Sequence, residues 1–390
     1  MTGGGVALWN SNGVAVCTAA NHQLYPRIAS DGLGGAIIVW SDYRSDPDTS
    51  DVYAQRVDAS GNVVWTLDGV PVCVAKGNQS GLVVSDGAGG AIVTWVEWGG
   101  VDIYAQRIDP NGEKLWALQG APVCVTAGWQ EDPQIATDGA SGAVICWEDS
   151  RPGSASFDIY ANRIDSDGNI LWATNGIPVC SEVDDQESPM IIQSGDGETI
   201  IAWRDLRAGF LAGSDIYAQK LDTDGNLLWS MVGGVAVSTA PNTQWMQKLV
   251  SDGQGGAIIT WHDQRDPDVD QVYAQQVGAN GNLGELPTGI GSGGGASVPA
   301  VTVNSAAPNP FGTGTEILFE LRIPGEVTFE IFDVNGRQVF KRRIGQSVAG
   351  LHRYFFDARD ASARRLTSGV YFYRLSAGSE FAVGKLVLAH

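Results

Sequence analysis

Tryptophan, aspartate and arginine recur together in this chain with the spacing Trp-x-Asp-x-Arg. An arginine and a carboxylate this close can form a bidentate ion pair, which fixes geometry as well as adding energy. We favour a structural pair that anchors a loop, with a polar, aromatic binding surface for a glycan, a peptide or a surface polymer as the alternative. The copies are Trp40-Asp42-Arg44, Trp147-Asp149-Arg151, Trp203-Asp205-Arg207 and Trp261-Asp263-Arg265, and the divergent one is Trp95-Val96-Glu97-Trp98.

A glutamine precedes each of these motifs, and a further tryptophan follows four of them. We expect the glutamine amides to cap backbone groups, with ligand contact as the alternative, and the tryptophans to pack between repeats. The glutamines are Gln23, Gln79, Gln130, Gln186 and Gln244. The tryptophans are Trp65, Trp116, Trp172 and Trp229.

Carboxylates elsewhere in the repeats are of the type that can bind a metal ion or act in catalysis. Asp46-Pro47-Asp48 and Asp266-Pro267-Asp268 offer the oxygen atoms that calcium prefers, but not in EF-hand spacing, so we favour solvated acidic loops and predict no metal or cofactor. A glycosidase needs an acid and a base that differ between repeats. Only Glu97, Glu131 and Glu148 differ in this way, and the four histidines form no triad, so we expect no enzyme.

A repeat positions these side chains. Its best-preserved string is Asp-Ile/Val-Tyr-Ala-Gln/Asn-Arg, and consecutive copies are 51 to 57 residues apart. Repeats of this length stack one supersecondary unit on the next. Their tyrosines are Tyr53, Tyr104, Tyr160, Tyr217 and Tyr273.

Each repeat is predicted to form four antiparallel strands. In the first copy these cover 25–30, 34–40, 51–58 and 63–65, with a crossover over 69–76. Four short strands in a unit of about 50 residues are typical of a β-propeller blade. The sequence therefore predicts an all-β, five-bladed β-propeller whose N-terminal segment supplies the outermost strand of the last blade. The Asp–Arg motifs and the glutamines would then surround the mouth of its central channel.

Composition excludes some classes of function. The net charge is −20, and after residue 305 there are 11 Lys and Arg against 8 Asp and Glu, so the acidic excess lies in the repeats and argues against nucleic-acid binding. No apolar run approaches the roughly 20 residues of a membrane helix. Four of the five cysteines, Cys17, Cys73, Cys124 and Cys180, are equivalent between repeats, and with Cys146 they are expected to be unpaired and buried.

The pattern changes after the repeats. We predict a β-propeller over 1–284, a Gly/Ser/Pro-rich linker over 285–305 and an immunoglobulin-like β-sandwich over 306–390, because six or more alternating strands follow residue 316. Met1–Gly5 has neither the basic nor the apolar part of a signal peptide, so none is predicted in this chain and a mature or truncated form is favoured.

The tail resembles the C-terminal sorting domain of type IX secretion cargo and the related immunoglobulin-like domain of flagellar hook-capping proteins. The resemblance is carried by Pro308-Asn309-Pro310-Phe311, 331–337, 349–352, 368–375 and 385–388, with Phe356-Asp357-Ala358-Arg359-Asp360 where such families often have Trp-Asp-Gly-Arg-Asp. It implies export across the outer membrane and recognition by the secretion machinery. We therefore expect a secreted or surface-displayed, non-catalytic binding or adhesion protein for a glycan or surface polymer. The alternatives are a structural or protein–protein scaffold and, third, a glycosidase-like enzyme.

Overall fold

The computed structural model describes residues 9–284 and 301–389, apart from 76, 98–100, 155, 196, 210–212, 230–232, 308, 310, 322–323, 334–336, 360–363 and 378–379. The regular elements in these residues are β-strands, which confirms the all-β class. The chain divides into two units, Met1–Leu283 and Gly284–His390. Within the described residues there is no helix long and apolar enough to span a membrane.

The first unit contains five antiparallel sheets, numbered here 1 to 5, and each is formed by consecutive strands. Sheets 1 to 4 have four strands and sheet 5 has three in the described chain. Sheets 1 and 2 comprise β1 (Gln23–Ser30), β2 (Ala36–Asp42), β3 (Asp51–Val57), β4 (Val70–Cys73), β5 (Gly81–Ser85), β6 (Ala91–Glu97), β7 (Asp102–Ile108) and β8 (Ala121–Cys124). Sheets 3 to 5 comprise β9 (Gln130–Thr137), β10 (Ala143–Asp149), β11 (Asp158–Ile164), β12 (Ile177–Cys180), β13 (Gln186–Gly195), β14 (Glu198–Asp205), β15 (Asp215–Leu221), β16 (Val235–Ser238), β17 (Gln244–Ser251), β18 (Ala257–Asp263) and β19 (Gln271–Val277).

Consecutive sheets pack face to face through apolar side chains that alternate along each strand. Ile37 and Val39 of sheet 1 form a forward face that packs against Trp95 on the rear face of sheet 2. Ile200 of sheet 4 packs against Trp261 of sheet 5 in the same way. The innermost strands also contact one another in succession, from β1 to β5, β9, β13 and β17. The result is a β-propeller-like array in which one type of interface is used repeatedly.

The two ends of this array have uncovered faces. Val272 on the forward face of sheet 5 is 74% exposed, whereas its equivalent Val52 in sheet 1 is fully buried. Ile28 on the rear face of sheet 1 is 71% exposed, whereas its equivalent Leu249 in sheet 5 is only 8% exposed. Sheets 1 and 5 therefore do not cover each other.

The N-terminal segment contacts sheet 1 in the same way that the last part of each repeat contacts the sheet that follows it. Trp9 Nε1 donates to the carbonyl of Ala59 at 3.0 Å, and Arg44 Nη2 lies 3.3 Å from the sulfur of Cys17. No described residue pairs with the outer edge of β19, so the described part of the predicted closing strand, residues 9–17, is not paired with sheet 5. The contacts of this segment with sheet 1 are the ones that each earlier repeat makes with the following sheet, as Trp65 does with Pro110 and Cys180 with Arg207. Residues 5–8 of the predicted strand lie outside the described residues.

The position of the fourth strand also differs from the prediction. Residues 63–65 form only a hairpin arm, in which Val63 bridges to Val57. The fourth strand is β4, in the stretch predicted as a crossover. The indole of Trp65 instead reaches the next sheet, where its Nε1 donates to the carbonyl of Pro110 at 2.9 Å. The tryptophan therefore packs between repeats, as expected, but does so from a turn.

The second unit is a seven-stranded, two-sheet sandwich. One sheet has the order β20-β21-β24 and the other β23-β22-β25-β26, and Phe319, Phe329 and Phe356 lie in their shared core. The strands are β20 (Val301–Ala307), β21 (Thr315–Leu321), β22 (Gly325–Phe332), β23 (Gln338–Ser347), β24 (Gly350–Phe356), β25 (Gly369–Ala377) and β26 (Glu380–Leu388). β20 begins inside the predicted linker because Val301 is buried in this core. Residues 285–300 of that linker lie outside the described residues.

A disulfide can test whether the N-terminal segment and sheet 5 meet in solution. Val52 pairs with Cys73 in sheet 1, so the equivalent pairing would place Val272 opposite Cys17. We expect Val272→Cys to form a disulfide with Cys17 inside a monomeric chain, because covering the two apolar faces within one molecule is favourable. Non-reducing gel electrophoresis with peptide mapping measures this. Cys17→Ser in the same background is the control, and covalent oligomers would show instead that a second copy covers these faces.

Candidate ligand-binding cavity

The four Asp–Arg motifs form buried cross-links. Both Asp42 oxygens are bonded: Oδ1 accepts from Arg44 Nε at 2.8 Å, while Oδ2 accepts from Arg44 Nη2 and Trp40 Nε1, each at 2.6 Å. Arg44 Nη2 also donates to the carbonyl of Asp68 at 2.7 Å, and the guanidinium carbon lies 3.9 Å from the centroid of the Tyr53 ring. The ion pair recurs in Asp149–Arg151, Asp205–Arg207 and Asp263–Arg265, and Arg151 and Arg207 also donate to a backbone carbonyl.

These carboxylates have no exposed surface for a ligand. Asp42, Asp149, Asp205 and Asp263 are each 0% exposed. Burial would raise the pKa of Asp42, but the bonds from Arg44 and Trp40 outweigh it and hold the pKa below its usual value. The geometry fits the structural interpretation of the motif. The role of these residues in ligand binding stays a prediction.

The five glutamines cap the loops before the innermost strands. Gln244 Nε2 donates to the carbonyls of Ala240 and Asn242 at 3.1 Å, and Gln79 Nε2 donates to that of Gly77 at 2.8 Å. Gln23 and Gln186 make equivalent bonds to their preceding loops. With its amide nitrogen turned toward the loop, Gln130 donates to the carbonyl of Thr126 at 3.1 Å. These bonds also fit a structural role.

Just after these glutamines, the innermost strands carry a bulge in four of the five sheets. Its central residue has a positive φ, at Tyr25 (54°), Asp132 (43°), Ser188 (53°) and Met246 (54°). Residues other than glycine rarely adopt this conformation, and such strain often occurs at functional sites. Sheet 2 has one residue fewer here, and β5 pairs with β6 without a register shift. The bulges therefore make the inner surface differ between sheets.

A cavity of about 580 Å³ lies among the innermost strands and is named here the axial cavity. Five equivalent residues, one from each sheet, contribute to its wall, so it lies on the axis of the array. These are Arg27, Leu82, Gln134, Met190 and Lys248. The remaining wall is Asp132, Ser188, Arg204, Trp245, Met246 and Gln247.

Carboxylates cluster beside one side of this cavity. Burial, and then the neighbouring charges of Asp132 and Glu187, raise the pKa of Glu148 to about 7, although its carboxylate accepts a 2.6 Å bond from the backbone N–H of Ser188. Asp132 lies in the cavity wall, where water reaches it although protein surrounds it. Its pKa is raised, because the effect of burial exceeds the opposing effects of the Gln134 hydrogen bond and the Lys248 charge. Glu148 thus changes its charge near neutral pH.

Two residues that line the axial cavity each have a buried polar atom without a hydrogen-bond partner within the described chain. They are the indole nitrogen of Trp245 and the side-chain oxygen of Gln247, and both are shielded from solvent. The Trp245 ring also meets His262 edge-on, with 5.7 Å between centroids. Unpaired buried polar groups are uncommon and call for a partner such as a ligand or a water molecule. The wall of the cavity therefore contains an unpaired donor and an unpaired acceptor just below its surface, and an aromatic ring.

The structure separates the three carboxylates that break the repeat. Glu148 and Glu131 pair across β10 and β9 beside the axial cavity, whereas Glu97 lines a different cavity in sheet 2. Asp132, Trp245, Gln247 and Lys248 were not predicted as site residues. The sequence does carry a signal on the neighbouring strand, where the residue after each strand tryptophan differs in every repeat and includes Arg204 of the cavity wall. These residues are Ser41, Val96, Glu148, Arg204 and His262.

Neither of the two Asp-Pro-Asp loops, for which calcium binding was the less favoured alternative, forms a metal site in the described residues. The Asp46 carboxylate instead accepts from the backbone N–H of Asp48 at 2.8 Å. No group of three or more His, Cys, Asp or Glu side chains in the described part of the chain is placed to hold a metal ion. All five cysteines are unpaired, as expected; four are buried and Cys17 is half-buried.

Comparison with known families identifies the second unit. Residues 305–389 match the family described as the secretion system C-terminal sorting domain, in agreement with the resemblance seen in the sequence. This domain indicates export through the type IX secretion system to the cell surface or the extracellular space, and hence contact with that machinery. No curated protein matches the chain.

Several solved structures resemble the chain at low identity. PorZ of Porphyromonas gingivalis, a surface component of the type IX secretion system, is 14% identical with a TM-score of 0.35, over 93% of this chain and 44% of PorZ. FlgD of P. aeruginosa is 18% identical with a TM-score of 0.18, over 24% of this chain and 76% of FlgD. A B. megaterium levansucrase mutant is 10% identical with a TM-score of 0.37, over 65% and 81% of the two chains. At these values the likeness does not indicate which residues act.

Replacing Arg151 by Ala is expected to lower the free energy of unfolding by about 3 kcal/mol, because Asp149 would be left charged and fully buried. Urea unfolding measures this. The double variant Asp149→Leu/Arg151→Met removes both charges and should recover most of the loss. A loss below about 1 kcal/mol for Arg151→Ala, typical of an exposed pair, would contradict a structural role.

Replacing Glu148 by Gln is expected to change how stability depends on pH. The folded-state pKa of about 7 lies above the ordinary value of 4.5, so between these values folded protein keeps a proton that the unfolded chain loses. Wild-type stability should therefore fall, relative to the Glu148→Gln protein, by up to about 3 kcal/mol between about pH 4 and pH 8. Urea unfolding at both pH values measures this, with Glu113→Gln in an exposed turn as the control. The same pH dependence in wild type and Glu148→Gln would contradict it.

Proposed function

We propose that the first unit is a non-catalytic binding module whose axial cavity holds part of a glycan or surface polymer outside the cell. The observation that carries this proposal is the pair of unpartnered polar atoms on Trp245 and Gln247 beside an open cavity. A volume of about 580 Å³ lies within the usual range of small-molecule sites, roughly 300–1,000 Å³. The export domain would bring this cavity to polymers of the surface or surroundings.

The groups around the cavity match the chemistry of a saccharide. A sugar hydroxyl both donates and accepts, so it can take the N–H of Trp245 and donate to the Gln247 oxygen. The apolar face of a sugar ring can pack on an indole, which presents a large apolar surface with one polar group. The carboxylate of Asp132 and the ammonium of Lys248 offer a further acceptor and donors.

In this proposal the first unit has one asymmetric binding site, the axial cavity, and not one equivalent site in each repeat. The equivalent polar residues are engaged in cross-links and loop caps, whereas the axial cavity is lined by residues that differ between sheets. Adhesion to a polymer would then depend on many molecules displayed together on one surface, each contributing one weak contact.

A glycosidase is the second candidate, and Glu148 is the observation that favours it. A carboxyl group with a pKa of about 7 beside another carboxylate has the character of a general acid, while Asp132 would act as a base or nucleophile. The proposed binding module and the enzyme differ in one measurable property, which is turnover of a bound glycan.

Trp245→Ala should weaken binding of a glycan found by array and polysaccharide screening of the full chain by at least about tenfold, the loss expected for removing an aromatic anchor. Isothermal titration calorimetry measures this. Trp129→Ala is the matched control, since Trp129 is 57% exposed and does not line the cavity.

The screen also decides between the candidate functions. Chain cleavage that disappears in Glu148→Gln would replace the binding module by the enzyme. Unchanged affinity in Trp245→Ala, or no glycan bound by folded protein, would overturn the axial site and leave the structural or protein–protein scaffold.

A further inference from the structure

Sheets 1, 3 and 4 each hold an arginine guanidinium in the same surroundings, and Arg265 of sheet 5 keeps two of these contacts, the carboxylate of Asp263 and the ring of Tyr273. Around Arg207, these are the Asp205 carboxylate at 2.6 Å, the Gly233 carbonyl at 2.7 Å, the Cys180 sulfur at 3.2 Å and the Tyr217 ring at 3.9 Å. Arg44, Arg151 and Arg265 stack on their tyrosines at 3.6–3.9 Å. In this fold a guanidinium site thus consists of a buried carboxylate and a stacked tyrosine in all four sheets, with a carbonyl and a cysteine sulfur added in three of them.

Sheet 2 keeps the receptor without the arginine. Glu97 pairs with Asp102 across the sheet as Asp42 pairs with Asp51, so Glu97 stands in the aspartate position. The residues that follow it in the sequence are Trp98-Gly99-Gly100, with no arginine two positions after the carboxylate. In the described chain Glu97 makes no ion pair, and no cation lies over the Tyr104 ring.

A cavity of about 350 Å³ lies in this place, named here the sheet 2 cavity. Its wall contains one equivalent of every group that surrounds arginine in the other sheets. Trp95 and Tyr104 stack at 6.3 Å between centroids, compared with 6.4 Å for the pair in sheet 1. The equivalent groups are Cys73 for Cys17, Trp95 for Trp40, Glu97 for Asp42, Tyr104 for Tyr53 and Gln119 for Asp68.

The charge of Glu97 acts on this cavity. After burial, it is the next cause that raises the pKa of the Tyr104 hydroxyl and that of the Cys73 thiol, the latter to about 12. Lys114, whose charge lowers the pKa of the Cys73 thiol, donates to the carbonyl of Leu118 at 3.2 Å. A negative charge therefore lies beside an aromatic face, with room for a cation between them.

We propose that the sheet 2 cavity binds a guanidinium group from outside the chain, in the place that arginine occupies in the other four sheets. A guanidinium is planar, so it can pair with both oxygens of a carboxylate and stack on a tyrosine at the same time. An ammonium ion cannot satisfy both contacts with one geometry. The site is separate from the axial cavity, and its ligand is either a small guanidinium compound or an arginine side chain of another protein.

The test is a calorimetric titration of the full chain with N-ethylguanidinium, and with ethylammonium as the matched cation. We expect one saturable guanidinium site that binds at least about tenfold more tightly than ammonium, by analogy with other charge-paired, stacked arginines. Glu97→Gln should reduce this affinity at least about tenfold, while Glu113→Gln, which removes an exposed carboxylate from a turn of the same repeat, should leave it unchanged. Circular dichroism checks that each variant is folded.

Arg151→Ala provides an internal positive control. It opens a second cavity of the same kind in sheet 3, so this variant should gain a second guanidinium site and recover part of its lost thermal stability in the presence of the ligand. If Arg151→Ala binds guanidinium and the wild-type protein does not, the proposal is overturned. Equal binding of guanidinium and ammonium, or unchanged binding in Glu97→Gln, would also overturn it, because the acidic surface alone would then explain the affinity.

A blocked Gly-Arg-Gly peptide distinguishes the two sources of the ligand. Binding at least about tenfold tighter than that of N-ethylguanidinium would assign the cavity to an arginine of a protein partner, since flanking backbone would then contribute. Weaker binding of the peptide would assign it to a small guanidinium compound. Either result supports a guanidinium site, provided that Glu97→Gln abolishes it.

Discussion

The fold of the first unit depends on a buried ion pair that would be costly if either partner were missing. Asp149 has no exposed surface, and Arg151 is the cation that compensates its charge. The same arginine bonds to the carbonyl of Asn175 and stacks on Tyr160, so one side chain joins a strand end, an outer turn and a neighbouring strand. A pair so placed specifies geometry more than it adds stability, since a buried charge without its partner is strongly unfavourable. Four repeats share this constraint, and in each of them the two strands that follow the innermost strand pair in the same register.

Residues that follow the repeat and residues that depart from it have different roles. The repeated side chains, which are Trp, Asp, Arg, Tyr and Gln, form hydrogen bonds and ring contacts within the protein, so few of their polar atoms can contact a ligand. The departures gather where the sheets converge, at the bulges of Asp132, Ser188 and Met246. A symmetric scaffold thus surrounds an asymmetric cavity. Sheet 2 departs twice, by losing the bulge at Gly81 and the arginine after Glu97, and it holds the second cavity.

The sequence predicts the repeating part of this structure well and the asymmetric part poorly, for physical reasons. Repeat spacing and period-two alternation determine the strands and their stacking, and the tail carries enough specific residues to indicate a sorting domain. The turn at Trp65 was predicted as a strand because its apolar run matches one, although the indole bonds to Pro110 of the next sheet. The position of Asp132 in the cavity depends on a one-residue bulge in its own strand. The surroundings of Glu148 depend on the next sheet, whose Ser188 N–H donates to its carboxylate. Such positions are set by tertiary contacts that local sequence does not contain.

The uncovered faces of sheets 1 and 5 have a consequence for how such a chain changes during evolution. Each internal interface joins the same forward face to the same rear face, and the end faces at Val272 and Ile28 are of these two kinds. Duplication or loss of one whole repeat in the gene would therefore create or remove an interface without altering the others. Residues that differ in a single copy, such as Glu97 and Glu148, lie beside the cavities and leave the repeated interfaces unchanged. Chain length and binding chemistry can then be selected independently of each other.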